Sequence, residues 1–442
     1  MLEKSDTPIT EAMKFFATYN IEATYVVPTA TGLSKSILDA HASLRNYFKS
    51  KNIHDFSSQK QGEENKVILN ATLVSLHDMI STKVSIYRPN TKSGDPRLWI
   101  SKLHTIAQPN NLIAIFLLNG SIYVLNFSDK QILLSAHEKR SPLNSLIQRQ
   151  ISSQEQLSAR LMEKIGAQSL LGSETHRFEE GEQPPEAVIF DSDSESLVNH
   201  AENLIEKLKT ISLLGYVESK RSGDTGVGMT LETLLGIKAN SSRTPDFNGI
   251  EIKASRKGSV PNRVNLFSQV PNWKLSTCKS GKDILEKCGY IEPTKNRLQL
   301  YCTNSISPNA QGLFLKIDDK NNLVESKRST PSAVESIVVW DLDNLVKQLR
   351  AKHKSTFWVK AMSRKDENGK EHFHYVEVEM TESPFAANFS TLIEIGAITM
   401  DYTLSMKDTR KARDHGYLFK ILPQNLDLLF PKSRVLSLTL PH

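Results

Sequence analysis

The chain has 442 residues, 39% of them apolar and 24% charged, with a formal net charge of +6. That length allows two or three domains with proper cores, and the composition is that of an ordinary soluble protein. The mild positive balance admits a polyanionic partner without demanding one. Cys278, Cys288 and Cys302 show neither a CxxC pair nor zinc spacing, so reduced thiols are expected. The start, Met1-Leu2-Glu3-Lys4-Ser5-Asp6, lacks the basic-then-apolar pattern of a signal peptide. No apolar run approaches the ~20 residues of a membrane span. A soluble cytoplasmic protein without membrane contact is the expectation.

In chain order, the spacing predicts a helix over Ile9 to Tyr19, with Ala12, Phe15 and Phe16 on one side, and a strand over Ile21 to Val27. Pro28 to Ser36 is expected as a loop whose hydroxyls and Lys35 suit either phosphate contact or plain surface. A helix over Leu38 to Phe48 and an extended stretch over Lys66 to His77 follow. A strand from Val84 runs into a turn carrying Arg88, Lys92 and Arg97, with Trp99 as an aromatic anchor. Basic groups on a Gly/Pro-fixed turn can reach phosphates or base edges, or can form a solvated hairpin tip. Strands over Leu112 to Leu118 and Ser121 to Phe127 meet at Asn119-Gly120, a hairpin signal. Residues 1–140 are therefore expected as a mostly β domain. Residues 141–190 are expected as a helical connector (Leu143, Leu146, Ile147, Ile151, Leu157) and an acidic, proline-bearing linker from Glu174 to Pro185.

The second domain, 191–442, opens with a helix over about Glu195 to Ile211. Gly223-Asp224-Thr225-Gly226-Val227-Gly228 lacks the Gly-Lys-Ser/Thr ending of an ATP-binding loop and is not read as one. Thr230 is expected to cap a short helix containing Glu232, with Gly236 at its end. The centre of the chain is Thr244-Pro245-Asp246-Phe247-Asn248-Gly249-Ile250-Glu251-Ile252-Lys253-Ala254-Ser255. Asn248-Gly249 is a turn signal because both residues tolerate positive φ. The alternation after it predicts a strand with Ile250 and Ile252 inward and Glu251 and Lys253 together on the other face. The turn can fold Asp246 back toward Glu251. Two carboxylates and an ammonium on one strand edge suit a hard cation such as Mg²⁺ and a water poised for attack on phosphorus.

Further on, Glu335 to Trp340 is expected as a strand, Leu342 to Lys352 as a helix, and Phe357 to Met362 with Phe373 to Met380 as a hairpin. His372 and His374 alternate on that hairpin without a third metal ligand in view, which favours ordinary strand histidines. Lys407 to His415 precedes a strand expected over Gly416 to Ile421. Its Arg410, Arg413, Asp414 and His415 supply donors for guanine and acceptors for cytosine.

Gly215-Tyr216, Lys220-Arg221-Ser222-Gly223-Asp224, Leu231-Glu232 with Leu235-Gly236, and Pro245-Asp246 through Lys253 together resemble the catalytic core of the MvaI/BcnI restriction endonucleases, relatives of MutH among the PD-(D/E)XK nucleases. The resemblance continues through Leu266-Phe267, Pro271-Asn272-Trp273, Gly312-Leu313 and Arg413-Asp414-His415-Gly416. The Thr-Gly loop and the Arg88 to Arg97 segment are similar, more weakly, to the DNA-binding pseudobarrel at the N-terminus of EcoRII. The resemblance implies an α+β or α/β protein: an N-terminal β-barrel-like DNA-binding domain, then a nuclease domain with a mixed central sheet flanked by helices. It implies a monomeric type II restriction endonuclease using Mg²⁺ on double-stranded DNA at a CCNGG-like site, paired with a cognate DNA methyltransferase. Asp246 and Glu251 would hold the metal, Lys253 would position water, and Glu232 would support them. Lys35, Arg88, Lys92, Arg97, Lys220, Arg221, Arg410, Arg413, Asp414 and His415 are the candidate DNA contacts. A MutH-type nicking enzyme and a non-catalytic DNA binder on a nuclease fold are the rival readings.

Overall fold

The computed structural model describes residues 7–91, 94–152, 192–237, 245–259, 262–406, 412–431 and 434–439, with side chains from 199 onward in the helix that starts at 192. The expected linker, together with Lys92, Lys407, Arg410 and Lys411, lies outside them. The chain forms two compact units, each assembled from separate stretches. One contains residues 1–147, 260–350 and 384–431, and the other 148–259, 351–383 and 432–442.

In the first unit, seven strands form one sheet: β1 (Ala23–Val26), β2 (Leu38–Asp39), β3 (Val67–Val74), β4 (Met79–Tyr87), β5 (Arg97–Ile100), β6 (Ile113–Leu118) and β7 (Ser121–Asn126). Their order is β1-β6-β7-β3-β4-β5-β2. Only β3 and β7 pair in parallel. All seven feed one apolar core, from Val26 of β1 and Leu38 of β2 to Val124 of β7, so the sheet curls into a barrel-like wall. The helix Ala42–Ser50 fills it with Leu44, Tyr47 and Phe48, none of them solvent-exposed. The Tyr47 hydroxyl, buried there, donates to the Glu22 carbonyl and accepts from the Leu117 N–H, which satisfies it. Asn119 and Gly120 both adopt positive φ, as a two-residue hairpin turn between β6 and β7 requires.

Two local expectations need correction. Pro28 to Ser36 is not a plain loop: Ala30–Lys35 is a helix, started by Thr29, whose hydroxyl accepts from the Gly32 N–H. Of the hydroxyls counted as loop chemistry, that of Thr29 caps the helix and that of Ser34 donates to the Thr31 carbonyl. Leu38 to Phe48 is not one helix either, because Leu38 pairs with Leu98 of β5 and the helix begins only at Ala42. A sheet edge overrides a continuous apolar spacing there.

The rest of this unit is a five-stranded antiparallel sheet, containing Ile398–Met406 and Arg413–Ile421, and a three-stranded one over Leu313–Asp318, Leu323–Ser329 and Val334–Asp341. The strand expected from Gly416 already begins at Arg413, which pairs with Ser405. The three cysteines are free.

The second unit is built on a sheet ordered Arg434–Ser437, Glu371–Thr381, Ser355–Lys365, Ile250–Arg256, with Val217–Glu218 also pairing with Glu371–Thr381. Ile250–Arg256 runs parallel to Ser355–Lys365 and the other pairs are antiparallel, so the sheet is mixed. One face packs Ile250, Ile252, Phe357, Val359 and Tyr375 against Leu204, Leu208 and Ile211 of the helix Ser192–Leu213 and Val227 and Leu231 of the helix Gly226–Leu234. Thr230 lies inside that second helix and does not cap it. Its hydroxyl accepts from the Lys220 N–H. The helix starts five residues earlier, with Thr225 in the cap position where Thr230 was expected, and opens on Gly226, where a Cβ would stand 2.3 Å from the Arg221 carbonyl oxygen. His374 spends its Nε2–H on the Ser212 carbonyl at 3.0 Å, an ordinary strand histidine. Among the described residues, no helix is long and apolar enough to cross a membrane.

Candidate active site

The site grows from one turn. Phe247 and Ile250 exchange two backbone hydrogen bonds, of 2.9 and 2.8 Å, around Asn248 at φ 44° and Gly249 at φ 91°. Positive φ at both central positions defines the primed hairpin turn that Asn-Gly favours. Antiparallel pairing at Phe247 and Ile250 brings Asp246 opposite Glu251. One Asp246 carboxylate oxygen accepts from the Ile252 N–H at 3.1 Å, which fixes the side chain against the strand.

Ile250 and Ile252 point into the core, so Glu251 and Lys253 share the other face, as the alternation predicts. Glu251 is not a solvated charge: it is 1% exposed. Its Oε1 lies 2.7 Å from Lys253 Nζ and its Oε2 lies 3.2 Å from Lys352 Nζ. Oε2 is nevertheless without a hydrogen bond, since the Lys352 contact is close but not aligned. Lys352 ends the helix Leu342–Lys352. The strand that follows runs beside Ile250–Arg256, with Thr356 next to Glu251, Trp358 next to Lys253 and Lys360 next to Ser255. Lys360 Nζ donates to the Ser255 hydroxyl at 3.0 Å, which extends the basic edge along the strand.

Glu232, on the helix Gly226–Leu234, joins the same electrostatic group. Burial, then the Asp246 charge, pushes its carboxyl above the usual range. Asp246 is raised in the same way, by burial first and then by Glu251. Three carboxylates thus face two ammonium groups, and burial, with the neighbouring negative charge second, leaves the Glu232 and Asp246 carboxyls holding their protons more readily than usual. Such a site favours a cation. Among the described residues, no group of three or more His, Cys, Asp or Glu is arranged to hold a metal. Asp246 and Glu251 would therefore supply two hard oxygen ligands, with water and phosphate completing the shell, a set that fits Mg²⁺ better than a soft metal. The buried, unbonded Oε2 is the acceptor such an ion would take.

Arg256, which the spacing did not single out, locks this arrangement. Its guanidinium grips both Glu371 oxygens at 2.6 Å, reaches the Gly223 and Asp224 carbonyls at 3.1 and 3.3 Å, and lies over the Phe373 ring. It ties the strand of Glu251 to the loop that leads into the helix of Glu232. An Arg256→Ala protein is expected to lose about 1–3 kcal/mol of stability, because Glu371 and two carbonyls lose their donor. Chemical denaturation measures this, and a loss under about 0.5 kcal/mol, the scatter of ordinary surface changes, would show that Arg256 locks nothing.

The candidate DNA contacts fall into two kinds. Arg88 donates from Nε to the Gly94 carbonyl and from Nη1 to the Gln59 carbonyl, so it braces its own turn. Arg97 is half-buried in β5, its Nε 4.0 Å from Asp39. Lys35, Lys220, Arg221, Arg413, Asp414 and His415 are exposed. Asp414 turns one oxygen back to the Gly416 N–H at 2.6 Å. Lys92 and Arg410 lie outside the described residues. Lys352 and Arg256 are the residues that sequence reasoning missed.

A sequence model of the MvaI/BcnI restriction endonuclease family matches residues 205–430. Two solved structures are similar over 54% of this chain and 98% of theirs. They are restriction endonuclease MvaI in complex with cognate DNA substrate, at 24% identity and a TM-score of 0.47, and MvaI in the absence of DNA, at 23% and 0.35. No curated protein matches. The family model covers just over half of the chain, and the protein belongs to the MvaI/BcnI restriction endonuclease family.

Proposed function

We propose that the protein is a type II restriction endonuclease that hydrolyses both strands of double-stranded DNA at a short CCNGG-like site, with Mg²⁺ as its cofactor. The observation that carries the chemistry is Glu251: a buried carboxylate with one oxygen free of hydrogen bonds, paired across a tight turn with Asp246 and flanked by lysines. Family membership supports a site-specific nuclease.

In the reaction, a water oxygen bonds to phosphorus while the bond to the leaving sugar oxygen breaks. Asp246 and Glu251 would hold a divalent cation, which when bound would offset the charge growing on the phosphate oxygens. Lys253 orients the attacking water, and its ammonium adds a donor for the phosphate. Glu232 backs the pair from the neighbouring helix, and burial first, then the neighbouring carboxylate charge, raises the carboxyls of Glu232 and Asp246. The exposed Lys220 and Arg221 serve the DNA backbone, and Arg413, Asp414 and His415 serve base edges. The N-terminal barrel, residues 1–140, is a second DNA-binding module, with the exposed Lys35 as its described candidate contact, while Arg88 and Arg97 are engaged within their own unit. The endonuclease chemistry is assigned to residues 191–442, a stretch of chain that contributes to both compact units. The protein acts as a cytoplasmic monomer, with a cognate methyltransferase protecting the host sites.

Digestion of a plasmid of known sequence with the pure protein and Mg²⁺, followed by sequencing of the ends, tests this. Double-strand breaks recurring at one short motif are expected. Nicks alone would point to the MutH-type reading, and binding without any cut would point to a non-catalytic DNA binder.

A further inference from the structure

We infer that Lys352 is a built-in competitor for the metal: its ammonium faces the Glu251 oxygen that a divalent cation would take, and so sets how tightly the site loads. The inference rests on the proposed metal site at Asp246 and Glu251. Glu251 is 1% exposed, so its charge must be balanced from within the protein. Lys253 does this at 2.7 Å on Oε1. Lys352 does it at 3.2 Å on Oε2, an oxygen that accepts no hydrogen bond. The second contact is the longer of the two, 3.2 Å against 2.7 Å, and it lies on the oxygen without a hydrogen bond, so it is the one a cation can displace.

Backbone geometry places Lys352 where it is. It closes the helix Leu342–Lys352, whose final carbonyls favour a cation, and its side chain is 15% exposed. The next strand, Ser355–Lys365, pairs in register beside Glu251, so the ammonium approaches on a short, fixed tether. A divalent ion on Oε2 and an ammonium at the same oxygen repel each other, and one must move away. The lysine stem is flexible enough to do so. A phosphate brought by substrate gives the displaced ammonium a new partner, so metal loading and substrate arrival favour each other.

The test reads Ca²⁺ binding by the full chain, by isothermal titration and by the Ca²⁺-induced rise in Tm, with no cleavage involved. Lys352→Met keeps the stem and removes the charge. It is expected to bind Ca²⁺ about 5–50-fold more tightly than wild type and to show a larger Ca²⁺-induced rise in Tm. Lys352→Arg keeps the charge and is expected to stay close to wild type. Should Lys352→Met fail to fold, Lys352→Gln carries the same expectation. Equal or weaker binding by the neutral variant overturns the inference. Glu251→Gln separates the two levels: Ca²⁺ binding that survives this change removes the metal site itself. Binding lost in Glu251→Gln but unchanged in Lys352→Met removes only the competitor role.

Discussion

An Asp246→Ala protein is expected to bind its cognate duplex and leave it uncut, with cleavage lowered by on the order of 10³-fold or more. In the proposed site Asp246 would be one of two oxygen donors for the cation, and the other, Glu251, would not hold the ion at phosphorus alone. The fold has little reason to fail. The turn that carries Asp246 is closed by backbone hydrogen bonds between Phe247 and Ile250, which the substitution leaves untouched. Stability points the same way. Burial and the Glu251 charge raise the Asp246 carboxyl, so the folded state favours its protonated form. The sign follows: stability of the metal-free protein falls as pH rises through that raised value, where the ionised group becomes a liability. Alanine removes the liability at neutral pH and gives up one acceptor for the Ile252 N–H. The metal-free Tm is therefore expected to hold, while the rise in Tm on adding Ca²⁺ is lost. Single-turnover cleavage and a gel-shift titration measure the two halves. Cutting within tenfold of wild type would mean that Asp246 is not a ligand.

The site was half legible in the sequence, and the boundary has a physical cause. Asn248-Gly249 announces its turn because two successive positive φ values need those residues, and the period-two alternation puts Glu251 and Lys253 on one face. Both signals are local. Lys352 is invisible to such reasoning because its place depends on Ser355–Lys365 lying parallel to Ile250–Arg256, a pairing across about a hundred residues of chain that no spacing encodes. Arg256 is missed for the same reason: its partners, Glu371 and Gly223, arrive from distant strands and loops. The near-total burial of Glu251 was also hidden, since an alternating charged strand reads as half exposed. In the first unit the hairpin at Asn119-Gly120 was legible, whereas the β1–β6 and parallel β3–β7 pairings that curl the sheet were not. Thr29 and Thr230 show the limit of capping signals: one hydroxyl caps a helix where a loop was expected, and the other binds Lys220 from inside a helix.

Base reading is where the second large effect is expected. Arg413, Asp414 and His415 open the strand Arg413–Ile421 with exposed side chains, and Arg413 pairs with Ser405 through the backbone, so its position is held while its guanidinium stays in solvent. Asp414 is partly spent on the Gly416 N–H, which leaves the arginine as the stronger reader of the two. An arginine bidentate to guanine O6 and N7 is worth ~1–3 kcal/mol of discrimination. In the inactive Asp246→Ala background, Arg413→Ala is expected to weaken binding to the cognate duplex by about that amount and to a mismatched duplex by much less. Lys220→Ala supplies the contrast. Lys220 is exposed ahead of the Glu232 helix and its expected partner is a phosphate, so its loss should weaken both duplexes alike and flatten the dependence of affinity on salt. Fluorescence anisotropy over a salt series, on both duplexes and both variants, separates reading from gripping. Equal losses on the two duplexes for Arg413→Ala would place base reading elsewhere in the chain and leave Arg413 a backbone contact.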